Sequence, residues 1–181
     1  AHDNNLPIDL YKNHTALSKP GQLLRELCKK IKGTIHIQQN NGLDILHELS
    51  TRILESIKYS KGKTDINTTA EIAMEIGAGV CQDHTHAFIT SARLLGFSSR
   101  YVSGYLSNGI NETQVATHAW AEVYIMGLGW VGFDISNGIS PDERYVRLAT
   151  GFDYADVIPI SGVRIGNGEE QIKTEITFNQ Q

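Results

Sequence analysis

Around Gly96 the chain changes its hydrophobic period, and that change sets the class of fold it can adopt. Before it, apolar residues recur at helical spacing: Leu24, Leu27 and Ile31 in one segment, then Leu46, Leu49, Ile53 and Ile57 in the next. After it come SRYVSGYL, THAWAEVYI and GWVGFDIS, whose aromatic and β-branched content and short lengths are those of strands. Helices followed by an antiparallel sheet make an α+β fold.

Punctuation residues sharpen the helical half. The pattern predicts helices from Pro20 to about Lys32 and from Leu43 to Tyr59, with proline near the start of the first. In TTAEIAMEIG, Thr68 and Glu71 have the spacing of a capping box, and Gly77 can end the short helix that follows. A further helix is expected from Cys81 to Leu95, with Phe88, Ala92 and Leu95 facing inward and Gly96 as a left-handed terminator. Near the end, QIKTEITF alternates and is expected to add one more strand. With 181 residues, 40% of them hydrophobic, the chain suits one compact domain, expected over 20–181 behind an aperiodic lead-in or linker over 1–19.

Charge narrows the partners. Sixteen basic and 20 acidic residues give a formal net charge of −4 without long runs of one sign, so no nucleic-acid or anionic-membrane surface is expected. No apolar run reaches the roughly 20 residues a membrane-spanning helix needs. Two cysteines, Cys28 and Cys81, are too few for a disulfide framework, so a reducing, cytoplasmic setting is expected. Cys28 lies among Leu24, Leu27 and Ile31 and reads as a small core residue.

Cys81 sits in GAGVCQDHTH, where it is either a metal ligand beside His84 and His86, a nucleophile, or an inert buried thiol between turn residues. On a helix, positions 81 and 84 share a face, but position 86 lies about 140° round from 81. No other Cys or His cluster has zinc-like spacing, so no metal and no cofactor is expected, and His84 and His86 read as solvent-facing or supporting residues. A thiol in the first turn of a helix faces unpaired N–H groups and the positive end of the macrodipole, which favour thiolate. Gly77 and Gly79 would let the chain turn tightly and a substrate approach the sulfur.

The hairpin THAWAEVYIMGLGWVGFDIS supplies partners for a nucleophile. A three-residue loop of Met126, Gly127 and Leu128 sets Ile125 opposite Gly129, and therefore Asp134 opposite Trp120. His118 is then the diagonal neighbour of Asp134 on the same face, about 7–8 Å away between backbones and within side-chain reach. A slip of one residue would put the two on opposite faces. A strand histidine is often structural and an aspartate at a strand end is often a turn residue. Cys81, His118 and Asp134 in that order nevertheless have the logic of a nucleophile, its general base and the acid that orients the base.

GVCQDHTHAFITSARLLGFSSRYVSGYL followed by THAWAEVYIMGLGWVGFD resembles the transglutaminase-like superfamily, and more narrowly its bacterial members assigned as cysteine proteases. The resemblance spans roughly residues 40 to 175, including DYADVIPISGVRIGNGEE. It implies a papain-like core with the cysteine at the N-terminus of a central helix, Cys81 as nucleophile, His118 as general base and acid, and Asp134 as the orienting acid. It also implies a β-rich N-terminal domain ahead of the core. Asp83, Trp120 and Glu122 match the same motifs; Asp83 reads as a helix cap, and Trp120 as a shield for the His–Asp bond, a substrate contact or a core aromatic.

The expected activity is acyl transfer through a Cys81 thioester, with a peptide or protein amide as substrate and hydrolysis as the outcome. Transamidation or glutamine deamidation uses the same intermediate, and a non-catalytic interaction module is the rival of another class. Oxyanion stabilisation is expected from the Cys81 N–H and, as a second donor, Tyr59. The polar stretch from Leu106 to Val115 is expected to border the cleft.

Overall fold

Helix α4 (Cys81–Leu94) touches α1 (Gln22–Thr34), α2 (Gly42–Ser56) and α3 (Ala70–Ile76) on one side and the sheet on the other. In this computed structural model the described residues are 7–34, 42–107 and 115–158; QIKTEITF and most of the 106–115 stretch lie outside them. Ala87, Phe88, Ile89 and Ala92 of α4 are fully buried between the helical layer, which contributes Leu24, Leu46, Leu49 and Ile53, and Tyr101, Ala121 and Val123 of the sheet. Much of what α4 encloses is polar, since Asp83, His84, Thr85, His86, Thr90, Ser91 and Arg93 are buried beside its apolar residues, so hydropathy alone does not reveal that the helix is covered on both sides.

The main sheet has the order β5-β4-β3-β6, formed by β3 (Ser99–Ser107), β4 (Val115–Ile125), β5 (Gly129–Phe133) and β6 (Tyr145–Gly151), with antiparallel neighbours throughout. Ile125 pairs with Gly129 and Ala121 with Phe133, the register expected from the loop length. Ala119, Ala121, Val123 and Ile125 alternate into the core, leaving His118, Trp120 and Glu122 on the other face of β4.

Several boundaries differ from expectation for reasons that lie outside the local sequence. The second helix ends at Ser56, and Tyr59 belongs instead to a two-residue strand, β1 (Lys58–Tyr59), paired parallel with β2 (Ala78–Gly79). The expected capping box does not form. Thr69 caps α3, while Glu71 turns away to accept N–H bonds from Gly21, Leu23 and Leu24 at the start of α1. Burying α1 and α3 against each other makes Glu71 worth more as a cap for its neighbour's orphan donors than for its own helix. Gly77 does terminate α3 in the left-handed region, at φ 67°.

The segment expected to be a lead-in is tied to the domain over its described part. Residues Ile8–Lys12 form a 3-10 helix with Tyr11 buried, and Ser18 is buried as well. Arg93, near the end of α4, holds them: it donates to the carbonyls of Tyr11 (3.1 Å), Ser99 (2.8 Å) and Phe152 (2.6 Å) and to the Ser18 hydroxyl (2.8 Å). Burial lowers its pKa to about 10, opposed by the charges of Asp153 and Asp156, so it remains a cation. An arginine inside the fold is not visible in hydropathy, yet here it joins the N-terminal segment, β3 and the end of β6.

Arg93→Met is therefore expected to lower stability by about 3–5 kcal/mol, because three buried carbonyls lose their donor while the methionine fills most of the volume. Thermal unfolding followed by circular dichroism should show a fall in Tm of about 10 °C. A change below about 2 °C would mean that these carbonyls find other partners.

Candidate active site

Backbone pairing beside Cys81 fixes the first wall of the site. Lys58 N–H bonds to Gly77 O (2.9 Å) and Ser60 N–H to Gly79 O (2.8 Å), which sets Tyr59 two residues from the start of α4. Asp83 reaches back to accept the Val80 N–H (2.7 Å) and also takes the Thr64 hydroxyl (2.7 Å), so it caps the helix as expected. Gly79 is bare for this reason: a Cβ there would lie 2.6 Å from the Asp83 side chain. Its lack of a side chain makes room for the cap.

His84 and His86 are fully buried, contrary to the solvent-facing expectation. His84 places its ring nitrogens against Val80 O (2.8 Å) and Ile57 O (2.9 Å), tying α4 to the end of α2. His86 packs against the Tyr101 ring and faces the Tyr154 N–H at 3.3 Å. Burial, with a smaller push from Arg93 and against the pull of Asp153, lowers the His86 pKa to about 4, so it is a neutral acceptor. Both are buried because α4 is enclosed, which the spacing of a single helix cannot reveal. Among the described residues no group of three or more His, Cys, Asp or Glu side chains could hold a metal.

Across from Cys81, the hairpin brings its two candidates together. His118 Nε2 meets Asp134 Oδ2 at 2.6 Å, and the imidazole lies close enough to Cys81 for the thiol to act on its titration. Burial alone would lower the His118 pKa, but Asp134, through its hydrogen bond and charge, and the nearby Cys81 outweigh it and raise it from 6.5 to about 9. Burial also pushes Asp134 upward, and there the hydrogen bonds from His118, Tyr145 and Asn137 with the His118 charge win, lowering it to about 2. The pair is an imidazolium and a carboxylate at neutral pH.

Asp134 is 0% exposed and closely surrounded by donors. Oδ2 accepts from His118, from the Tyr145 hydroxyl (2.6 Å) and from the Asn137 side-chain amide (2.7 Å). Oδ1 accepts from the Ser136 hydroxyl (2.9 Å) and the Asn137 N–H (3.2 Å), and the Asp134 backbone bridges to Ile139. Ser136, Asn137 and Tyr145 were not among the residues singled out from the sequence. Ser136 and Asn137 follow Asp134 in a turn, a local signal that was available; Tyr145 comes from β6, and no local pattern brings that strand's residue to Asp134.

Trp120 lies beside the imidazole with ring centroids 6.4 Å apart and planes 25° from parallel, and meets Tyr145 edge-on. Trp120 is 3% exposed, packed between these two rings. Its ring crosses Gly104, where a Cβ would lie 2.6 Å from the indole and collide with the Val146 carbonyl. Tyr59, by contrast, is 54% exposed and near enough to Cys81 and Asp134 that, after burial, their charges raise its pKa. Glu122, on the same strand face as Trp120, pairs with Arg100 (2.6 Å) and Arg147 (3.2 Å).

The core of this arrangement coincides with a known family. The model of the transglutaminase-like superfamily matches residues 29–135, and the chain belongs to that superfamily. The uncharacterized Mycobacterium tuberculosis protein Rv2569c is 34% identical over 144 residues, which cover 72% of this chain and 45% of that one. The crystal structure of a candidate cysteine protease from Cytophaga hutchinsonii aligns with TM-score 0.70 and 29% identity, over 86% of this chain and 50% of that one. The periplasmic domain of TgpA from Pseudomonas aeruginosa shares the fold at TM-score 0.56 and 16% identity, over 71% of this chain and 46% of that one. The chain thus spans about half the length of the relatives it matches. No helix among the described residues is long and apolar enough to cross a membrane.

Proposed function

We propose that this chain is the catalytic domain of a cysteine-dependent amide hydrolase acting on peptides or proteins. The observation that carries the reading is the 2.6 Å His118–Asp134 bond on an imidazole that lies near a thiol in the first turn of a helix. Family membership and the likeness to the Cytophaga protein support the reaction class.

In this reading Cys81 thiolate attacks the amide carbonyl, and the carbonyl electrons move to oxygen. The Cys81 N–H, unpaired in the first turn of α4, and the Tyr59 hydroxyl stabilise that oxyanion. Collapse breaks the C–N bond, and His118 Nδ1 gives its proton to the leaving amine, leaving a thioester. Water then attacks the thioester, His118 takes its proton, and departure of the sulfur releases the carboxylic acid. Asp134 keeps the imidazole oriented and balances its charge at both stages. No cofactor is required.

Incubating the protein with glutamine-containing peptides, with and without a primary amine, and reading the products by mass spectrometry tests the outcome. Cleavage of the backbone in both samples is the expected result. An amine adduct or a deamidated glutamine without cleavage would replace hydrolysis by transamidation or deamidation on the same thioester. Loss of all three products, with Cys81 alkylated only as an ordinary thiol near pH 8.5, would favour an interaction module.

A further inference from the structure

We propose that Tyr145 is the positioning residue of this site: its hydroxyl locks Asp134 against His118 and shares the carboxylate's charge, so that the imidazole keeps a proton it can still give away. The inference rests on the Cys81–His118–Asp134 reading and adds a fourth residue to it.

Tyr145 makes two contacts that depend on each other. Its hydroxyl donates to Asp134 Oδ2 at 2.6 Å, the same oxygen that takes His118 Nε2, while its ring lies 5.9 Å from the imidazole and 5.4 Å from the Trp120 ring between centroids. One side chain therefore touches both the base and the acid that orients it. The other donors to Asp134, Ser136 and Asn137, lie in the turn just after it and move with it. Tyr145 comes from β6, separated from β5 by β4 and β3 in the sheet, and so ties the acid to an independent part of the fold. A phenylalanine would fill the same space; only the hydroxyl reaches the carboxylate.

Each added donor spreads the charge on Oδ2 and weakens its hold on the His118 proton. Without the Tyr145 donor the carboxylate pulls harder, His118 holds its proton more tightly, and transfer to a leaving amine becomes less favourable. The titratable groups facing His118 are Asp134 beyond the end of β5, Cys81 from α4 and Tyr145 from β6; Tyr59 of β1 is coupled to Cys81 and Asp134. Tyr145 itself is held well above its ordinary value by burial and by Asp134, so it stays a donor over the working pH range.

The test compares Cys28→Ser with Cys28→Ser/Tyr145→Phe by nitrogen-15 NMR titration of His118 and by the pH dependence of iodoacetamide alkylation of Cys81, neither of which needs a substrate. The His118 titration is expected to move upward by about half a unit to one unit, with kcat for amide cleavage about tenfold lower and KM within about twofold. Asn137→Ala, which removes a different donor from the same oxygen, should move the titration in the same direction and serves if Tyr145→Phe folds poorly. A folded Tyr145→Phe protein with an unchanged or lowered His118 titration overturns the inference, and so does a downward shift in Asn137→Ala. Cys81 alkylation that is acid-shifted in the parent but indifferent to Tyr145 sinks only this inference; a parent thiol that titrates as an ordinary cysteine sinks the triad reading with it.

Discussion

Truncating Cys81 to alanine is expected to reduce kcat about 10⁶-fold, to the limit of detection, while Tm stays within about 2 °C of the parent protein. The large kinetic loss follows from covalent catalysis: without the sulfur no thioester forms, and the remaining groups only bind and polarise the amide. The small structural loss follows from position. Cys81 is partly exposed at the first turn of α4, where the cap is made by Asp83; its sulfur only borders the core, whose fully buried α4 residues begin at Ala87, and an alanine keeps the Cβ. His118→Ala should cost nearly as much, and the double variant hardly more than either single one, because the two groups act as a unit. Steady-state assays and intact-mass detection of an acyl-enzyme check this; a Cys81→Ala protein retaining about 1% of activity would remove the sulfur from the mechanism.

Asp134→Ala is expected to lower kcat about 10⁴-fold and, unlike the cysteine variant, to cost about 3–5 kcal/mol of stability. The carboxylate is fully buried, and its loss leaves His118 Nε2–H, the Tyr145 hydroxyl and the Asn137 amide facing an acceptor that is gone. The stability difference should depend on pH in a defined way. His118 is raised from 6.5 to about 9, so its share is complete below 6.5 and disappears as pH climbs through 9. Asp134 is lowered from 3.8 to about 2, so its share is complete above 3.8 and disappears as pH falls through 2. Plotting the Tm difference between parent and variant against pH should give a plateau from about 4 to 6.5 that declines on both sides. A difference that does not vary with pH would mean that lost packing, not the ion pair, accounts for the cost.

The two halves of the site were legible to different depths. His118 and Asp134 could be paired on paper because a three-residue hairpin loop leaves one register, and a period of two then decides which side chains share a face. Cys81 could be put at a helix start because the glycines before it and the apolar spacing after it are local features. Tyr59 was placed near Cys81 but on the wrong element: its strand exists only because residues 58 and 59 pair with 78 and 79, some 20 positions away. Trp120 was put on the correct face, but the ring it meets there, Tyr145, comes from a strand that its own hairpin does not point to.

By itself, the sequence determined the order of helices and strands, the core stripes of α1, α2 and α4, the hairpin register and the identity of the three residues most suited to thiol chemistry. All of these depend on neighbours within one element or one turn, where backbone geometry translates spacing directly into direction. Only the tertiary structure decided that α4 is enclosed with His84 and His86 inside it, that Arg93 joins three distant carbonyls, that Glu71 caps another helix, and that Tyr145 completes the shell of Asp134. Those outcomes depend on which faces meet after collapse, and a periodic pattern specifies that a face is buried without specifying what it is buried against.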